Sequence, residues 1–115
     1  MAKSSYKKGK IGEKIAVKFL ENKGFSVITT NYRTSFGEID IIAKDREYIV
    51  FIEVKLRNSL KNGLPREAVN KSKQKNIIAV AEKYIYENQM SNVDFRFDVI
   101  EVFENSVTHI ENAFW

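Results

Sequence analysis

Residues 37–44 and 48–56 are rich in Ile, Val and Phe and are separated by Asp45, Arg46 and Glu47 alone. A gap that short leaves room only for a tight hairpin, so the two runs must pair antiparallel. The same constraint concentrates charge. The first run contains Gly37-Glu38-Ile39-Asp40 and the second Phe51-Ile52-Glu53-Val54-Lys55. Burying an unpaired carboxylate costs several kcal/mol, so ionisable groups inside otherwise apolar strands should have a role.

Side chains alternate along a strand, which puts Glu38 and Asp40 on one face of the first run and Glu53 and Lys55 on one face of the second. A two-residue turn at Arg46-Glu47 sets Asp40 opposite Glu53. A turn at Asp45-Arg46 sets Glu38 opposite Glu53 with Asp40 diagonal to it. Either hairpin gathers all four groups on one side, and a register slip or bulge would separate them. Three acids beside an ammonium repel one another in a way that a divalent cation relieves, and all-oxygen ligation suits Mg²⁺ or Mn²⁺. Lys55 is then placed to orient an attacking water or to offset charge on a phosphate. The plainer reading is a half-exposed hairpin face whose Glu and Lys form cross-strand pairs worth roughly 0.2–1 kcal/mol each.

Around this hairpin the chain reads as α/β with the order α-β-β-β-α-β-β, a mixed sheet flanked by helices. Ile11, Ile15, Ala16, Phe19 and Leu20 predict a helix over 10–22, stopped at Asn22-Lys23-Gly24. Val27, Ile28, Thr29 and Thr30 predict a strand before the hairpin. Arg57 to Arg66 is polar and contains Gly63 and Pro65, so it reads as a flexible loop. Helical spacing returns over 67–88, followed by a strand over 92–104 and a shorter one over 107–110. Helix two would act as a crossover that brings the fourth strand in parallel. One domain over 1–115 accounts for the length, with 1–9 as a flexible basic N-terminus.

Charge is distributed unevenly. Residues 1–76 hold 17 Lys and Arg against 8 Asp and Glu, whereas residues 77–115 hold 2 against 7. Basic clusters at Lys3 to Lys18 and at Lys55 to Lys75, which include Arg57 and Lys71, suit a phosphate-rich partner bound through counterion release. Lysine-rich faces also serve solubility alone. Cysteine is absent, which excludes disulfides and thiolate metal sites. No apolar run approaches membrane-spanning length, and the chain reads as soluble and cytoplasmic.

The linked motifs Gly37-Glu38-Ile39-Asp40, Phe51-Ile52-Glu53-Val54-Lys55, Lys73-Gln74 on a helix and Arg96-Phe97-Asp98-Val99 resemble the YraN-like family of small bacterial proteins, over about residues 9 to 103. That family is similar to archaeal Holliday-junction resolvases and to the PD-(D/E)xK nuclease superfamily. The resemblance implies a restriction-endonuclease-like fold and a Mg²⁺- or Mn²⁺-dependent, structure-selective endonuclease that hydrolyses DNA phosphodiesters in branched or structured DNA. It further implies a homodimer. By the same resemblance Asp40, Glu53 and Lys55 are the motif residues, Glu13 is the acid that often completes the site, and the Val54 carbonyl is a further metal ligand. Glu38 assists. Ile39 stands where the superfamily motif has Pro. The alternative is a nucleic-acid-binding module or accessory subunit that keeps the scaffold without cutting, and a protein-interaction domain is a third reading.

Several positions support this frame. Glu13 borders the apolar face of helix one and could point over the sheet edge, although a carboxylate near a helix N-terminus is also explained by the dipole. Lys73 and Gln74 continue the inward face of helix two while Lys71 and Lys75 point away. In the resolvase-like picture Gln74 approaches the scissile phosphate and Lys73 the backbone. Arg33, with Tyr32 and Phe36, could stack on bases but reads equally as core and turn. Asp98 reads as structural, bonded to Arg96 or a nearby backbone group. His109 reads as a surface residue.

Overall fold

Helix α1 (Ala2–Asn22) lays Ala16 and Leu20, both fully buried, against the sheet that follows it. This computed structural model describes residues 2–57, 70–104 and 106–114, with side chains from Lys10 onward. The helix starts at Ala2, earlier than the apolar spacing indicates, and takes in the basic segment expected to lie outside it. Residues 2–9 offer little periodicity to read, but Ala and Lys are good helix formers. Its end is chemically explicit: Gly24 adopts φ +100°, Phe25 N–H donates to Leu20 O at 2.9 Å, and Gly24 N–H donates to Glu21 O at 3.1 Å. That pair of bonds is the Schellman arrangement, which needs a residue at ease with positive φ.

Five strands follow as one sheet in spatial order β1 (Ser26–Thr34), β2 (Gly37–Asp45), β3 (Tyr48–Arg57), β4 (Asp94–Phe103) and β5 (Ser106–Phe114). Neighbours pair antiparallel except β3 and β4, which run parallel. The parallel step needs a crossover, and helix α2 (Lys71–Glu87) lies within it. Asn70 caps α2, its side chain accepting from Lys73 N–H at 2.8 Å. The expected fold order therefore holds, while β5 is longer than anticipated. The polar segment after Arg57, residues 58–69, lies outside the described residues.

Each helix covers one face of the sheet. Ile77, Val80, Ala81 and Tyr84 of α2 pack with Ile42, Ile49, Phe51, Phe97 and Val99. Ala16 and Leu20 of α1 pack with Ile41, Ala43, Val50, Ile52, Ile100 and Val102. Period-two alternation sorts β3 cleanly: odd positions face α2 and even positions face α1. Following that alternation, Glu53, Lys55 and Arg57 emerge on the α2 side, beyond the apolar part of the strand.

Candidate active site

The hairpin register decides where the acids meet. Asp45 pairs with Tyr48 and the ladder continues to Ile41 opposite Ile52, so the turn is the two-residue Arg46-Glu47, with Arg46 at φ 58°. One further step would set Asp40 against Glu53. The ladder does not take that step in the ordinary way. Val54 N–H donates to the Asp40 side chain, Oδ2, at 2.8 Å.

The strand also changes hand at this point. Ile39 belongs to the α2-side core and Ile41 to the α1-side core, although residues two apart normally share a face. On the neighbouring strand Tyr32 pairs with Ile39 and Thr30 with Ile41, which places Asn31, at φ 55°, across from Asp40. Left-handed backbone at a non-glycine residue inside a strand is uncommon, and Asn tolerates it best. The irregularity turns the Asp40 carboxylate toward β3 rather than away from it.

Glu53 is buried, with 6% of its side chain exposed. Its Oε1 lies 2.6 Å from Lys73 Nζ and 3.7 Å from Lys55 Nζ. Two ammonium groups, one from the sheet and one from the first turn of α2, thus share one carboxylate. Asp40 is in a different position: burial first, then the charge of Glu53, push its carboxyl up to about 7, against the lowering effect of the Val54 N–H bond. Glu13 and Glu38 push in the same direction. Burial and the neighbouring Lys73 lower the Lys55 ammonium, while hydrogen bonding to Glu53 raises Lys73 against its own burial. The site therefore favours a proton on Lys73 over Lys55 and resists a full negative charge on Asp40.

The other expected site residues fall at different distances from this centre. Glu13 lies along α1, 3.6 Å from Lys10, and because the helix begins at Ala2 it is well inside the helix rather than at its N-terminus. The dipole explanation for Glu13 no longer applies, since that effect is confined to the first turn. Glu38 is held by exposed Arg33 at 2.8 Å. Gln74 is half-buried beside Lys73 in the first turn of α2, and Lys71 and Lys75 are exposed, as their spacing indicates. Arg57 donates through Nε to Glu101 Oε2 at 3.0 Å.

Glu101 is the residue that sequence reasoning missed. It is 3% exposed, pairs in register with Lys55 and is fixed to Arg57. The signal was present: Phe97, Val99 and Glu101 alternate on the α2 side, so Glu101 had to follow two core residues onto the face that carries Lys55.

His109 is a correction. Its side chain is 2% exposed, not on the surface. Nε2–H donates to Asp98 Oδ2 at 2.7 Å, Lys23 Nζ donates to Nδ1 at 2.8 Å, and the rings of Phe19 and Phe25 approach it edge-on. Asp98 also accepts from Arg96 Nε and from Asn112 N–H, both at 3.0 Å. Burial raises the Asp98 carboxyl, but the bonds from His109, Arg96 and Asn112 outweigh it and hold the group below its ordinary range. This network ties β4 to β5, on the side of the sheet covered by α1. The bonds expected of Asp98, to Arg96 and to a backbone N–H, are both present.

Among the described residues no three acidic or imidazole side chains form a ready-made metal cage. The donor chemistry nonetheless fits a hard divalent cation. Asp40, half-buried, and Glu53, buried, are carboxylates that repel each other, which an oxygen-seeking cation between them would relieve.

Fold and site together define a small α/β domain whose five-stranded mixed sheet carries a part-buried acid and amine cluster beside a helix N-terminus. Residues 12–102 match the uncharacterised protein family UPF0102, and the chain belongs to it. A UPF0102 protein of Clostridioides difficile (strain 630) is 50% identical over 109 residues, spanning 93% of this chain and 96% of its own. One from Caldicellulosiruptor bescii is 50% identical over 106 residues, 89% of each chain. A third, from Persephonella marina, is 41% identical over 110 residues, 96% of this chain and 95% of its own.

Proposed function

We propose that this protein is a divalent-metal-dependent, structure-selective endonuclease that hydrolyses DNA phosphodiester bonds, in keeping with the resemblance to resolvase-like nucleases. One observation carries the reading: the half-buried carboxylate of Asp40, at a strand irregularity, feels the charge of the buried Glu53, and Lys55 stands 3.7 Å from Glu53. Core packing does not require such an arrangement, and perturbed acids beside an amine are typical of catalytic sites.

Asp40 and Glu53 would hold Mg²⁺ or Mn²⁺, with the Val54 carbonyl as a further ligand and Glu13 and Glu38 adding negative potential. The ion supplies charge neutralisation at the phosphodiester and acidifies a water. The remaining work falls to the chain. Lys55, whose ammonium lies 3.7 Å from Glu53, orients the nucleophilic water and stabilises the hydroxide formed from it. Lys73, Arg57, Lys71 and Arg33 hold backbone phosphates, and Gln74 lies one residue from Lys73 at the same helix end. No recognition-helix motif is present, so binding rests on phosphate contacts and DNA shape rather than base identity. A homodimer would present two such sites to a branched substrate. Among the described residues no helix is long and apolar enough to cross a membrane.

A non-cutting nucleic-acid-binding module is the second reading. It is favoured by the Lys73–Glu53 ion pair at 2.6 Å, which already compensates one of the two carboxylates. Incubation of wild type, Lys55→Ala and Asp40→Asn with branched, flapped, single-stranded and duplex DNA in Mg²⁺ or Mn²⁺ separates the two. Metal-dependent cleavage by wild type alone supports the nuclease. Identical behaviour of all three proteins supports the module.

A further inference from the structure

The ion pair that favours the second reading has a use within the first. Lys73 and Lys55 approach the same oxygen of Glu53, but they differ in how they are anchored. Lys55 belongs to the sheet and its side chain is 25% exposed, whereas Lys73 reaches in from the first turn of α2 and its side chain is 41% exposed. The Lys73 backbone N–H is fixed by the Asn70 cap, so the side chain can leave Glu53 by rotamer change alone. Long lysine stems make that exchange with solvent at little cost. A buried carboxylate, in contrast, is not readily left without a cation.

We propose that the Lys73 ammonium is a built-in stand-in for the divalent ion, neutralising Glu53 in the free protein and released from it when the ion binds. The inference rests on the metal-dependent reading above. Charge accounting supports it: with both acids ionised, as a bound cation requires, Asp40 and Glu53 are balanced by Lys55 and Lys73 before the ion arrives. Exchange of Lys73 for a divalent ion leaves the centre with a single positive charge, matched to the single negative charge of a phosphodiester. The displaced ammonium then becomes a second cation for that same anion. Ion and phosphodiester should bind cooperatively, and linkage requires the effect to be mutual.

The test uses Mn²⁺ alone, titrated calorimetrically into the full chain without nucleic acid. Lys73→Met removes the competing charge and is expected to tighten Mn²⁺ binding at least about five-fold, the lower end of usual coupling strengths. Lys73→Arg keeps a cation on Glu53 and should bind Mn²⁺ no more tightly than wild type. In wild type, ¹⁵N signals of the Lys73 ammonium should shift on Mg²⁺ addition, a readout independent of whether Lys73→Met folds well. Unchanged or weaker Mn²⁺ binding by a folded Lys73→Met, or an unmoved ammonium signal at saturating Mg²⁺, overturns the inference while leaving the metal site standing. Absence of Mn²⁺ binding by wild type and both variants overturns the inference and the metal-dependent reading together.

Discussion

The backbone N–H of Val54 donates to Asp40 Oδ2 at 2.8 Å, so the side chain of one strand takes the place of a backbone acceptor on its neighbour. This bond secures the carboxylate at the point where β2 and β3 stop pairing. It also opposes, without cancelling, the burial and the Glu53 charge that lift Asp40 to about 7.

A stability prediction follows for Asp40. Its carboxyl titrates higher in the folded chain than its ordinary value of 3.8. The folded state therefore holds its proton longer than the unfolded state, and stability falls as pH rises from about 4 to about 7. Asp40→Asn removes that loss while keeping an acceptor for Val54 N–H. Metal-free Asp40→Asn should exceed wild type by about 1–3 kcal/mol at pH 8 and match it near pH 4. Urea denaturation at the two pH values checks this, and a variant less stable at pH 8 contradicts it.

Asp98 predicts the opposite dependence. Its carboxyl is held below the usual range, so its contribution is complete above the unfolded value near 4 and is lost as pH falls through the folded one. Wild type should lose stability below about pH 4 more steeply than Asp98→Asn. At pH 7 Asp98→Asn should cost about 1.5–3 kcal/mol, because the bonds from Arg96 and His109 lose their ionic acceptor while Arg96 keeps Asp45 at 3.1 Å and Glu111 at 3.0 Å. Thermal melts against pH measure both effects.

Much of this was legible in the sequence, for identifiable reasons. A three-residue gap between two apolar runs fixed the hairpin, and spacing on α2 placed Lys73 inward and Lys71 and Lys75 outward. The reversal of faces at Asp40 was not legible, because it coincides with positive φ at Asn31 across the sheet, which strand alternation does not anticipate. His109 was misread for a related reason. An isolated histidine on an alternating strand looks exposed until the partner strand supplies Asp98 and α1 supplies Phe19.

Lys55→Met should separate cleavage from binding. The amine touches Glu53 but is surrounded by other cations, so its loss is expected to lower the cleavage rate roughly 10²-fold or more while DNA affinity changes little. Single-turnover cleavage and fluorescence anisotropy on one labelled branched substrate report the two quantities. Equal loss of both would assign Lys55 to binding.

Glu101 holds Arg57 through a 3.0 Å bond and is 3% exposed. Glu101→Ala should destabilise the chain by about 2–4 kcal/mol by leaving a part-buried guanidinium without its partner. Glu101→Gln, which keeps an acceptor, should recover part of the loss. Chemical denaturation at pH 7 ranks the three proteins, and equal stability would mean that the pair is incidental.

Asp40 and Glu53 together are proposed to form a divalent-cation site. Anomalous diffraction from crystals soaked in Mn²⁺ addresses it without any knowledge of substrate. A peak bound by both carboxylates is expected, with the Lys73 ammonium withdrawn from Glu53. Saturating Mn²⁺ that leaves no peak there, with Lys73 still seated on Glu53, would contradict it.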